Sequence, residues 1–135
     1  MSGKDIEREI QAKGKTAPRI TPEHINSVIV SEHYFTAASG VTAAGGVVHS
    51  DDDGLRCLTF CVLVLRNGFT VTGESACASP ENFDAEIGRK IARENAINKI
   101  WLLEGYLLKQ KRSEQCTEER MCANCFSGQR DCQNR

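Results

Sequence analysis

The 135-residue chain lacks an excess of either charge, since 17 Lys and Arg face 18 Asp and Glu. A net charge of −1 gives no global field drawing it to nucleic acid or to an anionic membrane. It also lacks a long apolar run. The longest, Cys57–Leu65, is broken by Thr59 and falls far short of the roughly 20 residues a membrane helix needs. Met1–Lys15 has no apolar central region, so no secretory signal is expected and the chain reads as soluble and intracellular. Seven cysteines, an odd number without such a signal, argue against a disulfide framework. The sequence contains no phosphate-cradling glycine loop, no Gly-x-Ser-x-Gly and no His-Glu-x-x-His. Enzymatic activity is not expected.

What is present divides into three parts: a flexible arm over 1–19, an α+β core over 20–110 and a Cys-rich tail over 111–135. Ile6 and Ile10 lie four apart in the arm, a short amphipathic pattern in a segment read mainly as loose. Thr21, Pro22 and Glu23 supply a cap, a first-turn proline and an acid at the positive end of a helix dipole. With Ile20 and Ile25 at staple positions, they predict a helix over about 22–31. A short strand is expected at "HYFTA". Residues 38–54, rich in Ala, Gly and Asp, carry no period and predict a mobile loop.

"RCLTFCVLVLR" is the strongest strand signal, and Asn67-Gly68 is a favoured two-residue hairpin turn. Counting outward from that turn pairs Arg66 with Phe69, Val64 with Val71, Val62 with Gly73 and Phe60 with Ser75. Phe60, Val62, Val64, Phe69 and Val71 then form the core face. Thr59, Cys61, Leu63, Leu65, Thr70, Thr72 and Glu74 form a second, half-apolar face available for binding. Ser79-Pro80-Glu81 repeats the cap logic before a final helix. Phe83, Ile87, Ile91, Ile100, Leu103 and Leu107 are its expected buried stripe, and Gly88, Ala92 and Ala96 leave one side thin. A break is expected from Trp101 to Gly105. The predicted fold class is α+β with two layers in αβββα order, both helices lying on one face of a three-stranded antiparallel sheet.

Cys116, Cys122, Cys125 and Cys132, spaced C-x5-C-x2-C-x6-C, are candidate ligands for a structural zinc, with one Cys-x-x-Cys knuckle where a full signature has two. "SDDDG" at 50–54 has contiguous aspartates, and Val62 stands where a calcium loop needs a bidentate Glu. It reads as a solvated acidic loop. His24, His33 and His49 have no partner at catalytic or metal spacing. The αβββα order is also that of double-stranded-RNA-binding domains, which dock phosphate on a basic start of the last helix. Here that turn carries Glu81, Asp84 and Glu86, so RNA binding is not favoured. Arg89, Lys90 and Arg93 form a small basic patch further along.

At "SEHYFTA", at "LTFCVLVLRNGFTVTGESACASPENFDAEIGRKIARENAINKIW" and at "LEGYLL", the chain resembles the gp-forty-nine / gene-sixty-six family of small tailed-bacteriophage proteins, over about residues 17–110. The resemblance implies a phage or prophage gene expressed in the cytoplasm of a bacterial host, and it brings no reaction and no catalytic residues. Members tend to carry a proline after the tryptophan of the last helix, where this chain has Leu102.

Together these readings lead to a non-enzymatic accessory protein that binds a host or phage macromolecule, in host takeover or inhibition of bacterial defence. The candidate contact residues are Leu63, Leu65, Thr70, Thr72, Glu74, Arg89 and Arg93. A host or phage protein is the expected partner, with a homodimer as a variant and no membrane. The alternatives are nucleic-acid binding and a small-molecule sponge for a nucleotide signal.

Overall fold

The protein is described by a computed structural model over residues 3–14 and 17–126, with side chains through Glu118. The order is α1 (Gly3–Ala12), α2 (Pro22–Val28), β1 (Ile29–Thr36), α3 (Ala37–Ala43), α4 (Asp53–Arg56), β2 (Leu58–Leu65), β3 (Thr70–Ala76), a 3-10 turn (Pro80–Asn82) and α5 (Ala85–Phe126). The strands form one antiparallel sheet in the order β1-β2-β3, and α5 packs across β3 and β2. The αβββα frame and the two-layer α+β class are those the sequence predicts.

Local chemistry accounts for most boundaries. Thr21 caps α2 by accepting from the His24 amide at 3.1 Å. The final helix starts later than its proline. Pro80 opens the 3-10 turn, and the α-helical cap is Asp84, whose Oδ1 accepts from the Glu86 and Ile87 amides at 2.9 and 3.1 Å. The helix then runs without the expected break through Gly105. One exposed glycine costs a helix only about 1 kcal/mol, and its neighbours Leu102, Leu103, Glu104, Leu107 and Leu108 are strong helix formers.

The hairpin differs from the predicted one by a single residue. Its loop has three residues, Arg66–Gly68, not two. The Leu65 amide donates to the Phe69 carbonyl at 2.8 Å, the Gly68 amide donates to the Leu65 carbonyl at 2.9 Å, and Gly68 takes φ +85°. Asn67 keeps a negative φ and so cannot make the two-residue turn, which needs positive φ at both central positions. The register becomes Val64↔Thr70, Leu63↔Val71, Val62↔Thr72 and Cys61↔Gly73. A one-residue slip turns every side chain of a strand over. Thr59, Cys61, Leu63 and Leu65 therefore face α5, while Phe60, Val62 and Val64 face away. Phe69 is exposed, and of the expected core face only Val71 is buried.

The core joins Ile25 and Val28 of α2, Cys61, Leu63 and Leu65 of β2, Val71 of β3, and Ala92, Ala96 and Ile100 of α5. The thin side of α5 is thus the buried one. Ile87, Ile91, Leu103 and Leu107, expected in the stripe, are exposed, and Phe83 is half-buried. The close approach is made at Gly73. A Cβ there would lie 2.1 Å from the Ala92 carbonyl oxygen and 2.4 Å from the Ala96 nitrogen. Among the described residues one buried polar side-chain atom, Thr59 Oγ1, has no hydrogen-bond partner; it sits beneath Gly88 in the first turns of α5.

Two segments expected to be irregular are ordered. Residues 38–54 hold most of α3 and the start of α4, and Arg56 ties the turn between them by donating to the His49 and Ser50 carbonyls at 2.7 and 3.3 Å. The arm forms α1, anchored by a Glu7–Arg19 ion pair that buries the Glu7 side chain. Arg19 holds the Glu7 carboxyl below its ordinary value of 4.5. A depressed carboxyl adds stability that is present above its ordinary value and lost as pH falls through the lowered one. Acidification should therefore loosen α1, and Glu7→Gln should loosen it at neutral pH. The sole tryptophan, Trp101, packs beside Gly3. Its fluorescence should shift in both cases, with no acid transition of α1 left in Glu7→Gln.

Candidate functional site

The sheet face opposite α5 is an ordered grid. Cross-strand pairing sets Phe60 between Phe35 and Glu74, Val62 between His33 and Thr72, and Val64 between Ser31 and Thr70. An apolar row on the central strand is thus flanked by rows that are polar except at Phe35. The Phe35 and Phe60 rings stack at 5.5 Å. Helix α3 covers that end only, with Gly40 against the Phe35 ring. The other end, around Val62 and Val64, has no helix packed over it among the described residues.

A second feature lies at the seam between sheet and helix. Arg93 Nε donates to Glu32 Oε1 at 2.6 Å, and the Tyr34 hydroxyl donates to Glu32 Oε2 at 3.1 Å. Desolvation, reinforced by neighbouring Cys61 and Glu32, pushes the Tyr34 phenol up to about 12. Burial raises the Cys57 and Cys61 thiols above their ordinary value of 9.0, so both are thiols and not nucleophilic thiolates at neutral pH. Arg93 also lines a cleft of about 180 Å³ with Lys4, Asn26, Ile97, Trp101 and Glu94. His24 Nε2 meets Glu104 Oε2 at 2.9 Å and joins α2 to α5.

The structure does not bring the sequence-predicted contact residues together. Leu63 and Leu65 lie in the core, a correction that follows from the three-residue loop. Thr70, Thr72 and Glu74 are exposed on the open face, as expected. Arg89 is exposed on α5, whereas Arg93 is half-shielded and neutralised by Glu32, so the basic patch is divided. Lys90 pairs with Glu86 at 3.3 Å. The amides at the start of α5 that a phosphate would need are partly taken by Asp84. Phe60, Val62, Val64, Ser31 and His33 are the open-face residues that sequence reasoning missed. Gly73 marks which face of β3 turns inward, but the face of β2 depends on the loop length, which the residue types around Asn67-Gly68 leave open.

Of the candidate zinc ligands, Cys116 is an exposed free thiol on α5. The side chains of Cys122 and Cys125, and all of Cys132, lie outside the described residues. Among the described residues no three His, Cys, Asp or Glu side chains gather to hold a metal ion, and no helix is long and apolar enough to cross a membrane.

No curated protein and no solved structure matches the chain significantly. The sequence pattern of a phage protein family matches residues 20–112, from Ile20 just ahead of α2 into the projecting part of α5, and leaves α1 and the Cys-rich segment outside. That match covers well over half of the chain, which therefore belongs to the phage protein (N4 Gp49/phage Sf6 gene 66) family.

Proposed function

We propose that this bacteriophage protein acts by binding and not by catalysis, engaging a host or phage protein through the open sheet face in host takeover or inhibition of bacterial defence. The observation that carries the reading is the row Phe60–Val62–Val64, bordered by Ser31, His33, Thr70, Thr72 and Glu74. An antiparallel sheet that only faces water alternates apolar-in with polar-out. Here the outward positions of the central strand are apolar and their neighbours polar, the core-and-rim pattern of a protein interface. A photo-reactive residue in place of Thr72, in phage-infected cells, should yield one discrete protein adduct, and one in place of Arg89 on the far side should not. Labelling that is absent at Thr72, or equal at both positions, contradicts the reading.

A second reading is supported by the cleft at Trp101. Lys4 and Arg93 offer positive charge beside the Trp101 indole and Asn26, a set suited to a small anionic aromatic molecule such as a nucleotide. Glu94 in the same lining, and Glu32 on Arg93, reduce that positive charge. Titration with mono- and cyclic nucleotides should quench Trp101 in the natural protein and not in Arg93→Ala. Unchanged fluorescence throughout would remove this reading and leave the first.

A further inference from the structure

We infer that the projecting half of α5 is a self-association surface, pairing antiparallel with α5 of a second copy about a two-fold axis between Tyr106 and Leu107. The helix has 42 residues and is about 63 Å long at 1.5 Å per residue. The 8-residue central strand beneath it spans only about 27 Å. Among the described side chains of α5 the last buried one is Ile100, and from Leu102 to Glu118 only Glu104 and Leu108 are partly shielded. Helices in proteins draw most of their stability from packing an apolar face, and from Lys109 to Glu118 every side chain of this helix is exposed within one copy.

The surface it presents at its base is apolar. Leu102 and Tyr106 are 77% and 75% exposed, and Phe69 at the hairpin tip is 55% exposed. Leu103 and Leu107 join Phe69, Leu65 and Gln110 around a groove of about 270 Å³. Such a concentration of exposed apolar side chains at one place marks an association site.

Charge order along the helix selects the partner and its direction. With the axis between Tyr106 and Leu107, Glu114 of one copy stands level with Lys99 of the other, while Glu104 stays with His24 of its own copy. The axis repeats the Glu114–Lys99 pairing, as an isologous interface requires. A parallel pair would instead set Lys109, Lys111 and Arg112 beside the same three cations, which repel. Lys99, Lys109, Lys111 and Arg112 make no ion pair within the copy among the described residues. A second copy is therefore the occupant that fits both the apolar base and the charges above it.

Sedimentation equilibrium of the full chain at tens of micromolar, in reducing buffer at low salt, tests this. The expected mass is twice the 14.9 kDa of one copy. Tyr106→Glu should give a monomer with an unchanged circular dichroism spectrum. Lys99→Glu and Glu114→Lys should each weaken the dimer tenfold or more, and the double variant should restore it. A natural protein that stays monomeric across the range overturns the inference. So does a dimer that the single charge reversals leave intact, or that the double variant fails to restore.

Discussion

Replacing Gly73 by alanine is expected to remove about 3 kcal/mol or more of stability, at the upper end of overpacking effects. The new methyl has nowhere to go. Its ideal position lies 2.1 Å from the Ala92 carbonyl oxygen and 2.4 Å from the Ala96 nitrogen, and both obstacles are helix backbone, not movable side-chain ends. Helix α5 must lift from β3, which opens the contacts of Ile100, Val71, Cys61 and Leu63 together. A domain of this size has only about 5–15 kcal/mol in total, so the thermal midpoint should fall by roughly 10 °C or more. Gly54→Ala is the control, because nothing lies within 4 Å of that added methyl. It should change the midpoint little. A Gly73→Ala protein that melts with the natural one would mean that α5 does not ride on the glycine.

The second large effect separates two neighbours on one strand. Leu63 is fully buried, so Leu63→Ala removes a side chain from a closed core and should cost about 2–5 kcal/mol. Val64, next in the chain, points to the open face, and Val64→Ala should cost less than about 1 kcal/mol. Urea titrations of the two variants give the comparison. With a two-residue hairpin turn the order would be reversed, because Val64 would then be the core residue.

That reversal shows where the sequence was legible and where it was not. The cap at Thr21, the strand at Leu58–Leu65, the hairpin itself and the thin side of α5 each follow from residue types with one dominant geometry. The face of β2 did not, because both of its faces are apolar: Cys61, Leu63 and Leu65 on one, Phe60, Val62 and Val64 on the other. Alternation carries no sign in such a strand, and register then rests on the loop alone. Asn67-Gly68 fits a two-residue turn, and equally a three-residue loop in which only Gly68 needs positive φ. The candidate contact surface inherited that ambiguity: Thr70, Thr72 and Glu74 were placed correctly, while Leu63 and Leu65 were assigned outward. Helix α1 was hidden for another reason. Its anchor, Glu7 to Arg19, is a tertiary contact between polar residues with no periodic signature.

The proposal of contact through the open sheet face rests on which face of β2 is open. Methyl NMR with a soluble paramagnetic agent reads this directly. The Val62 and Val64 methyl signals should broaden strongly, while those of Leu63 and Leu65 stay sharp beneath α5. Broadening of Leu63 and Leu65 with Val62 and Val64 protected would contradict the register, and with it the open face as the site of contact.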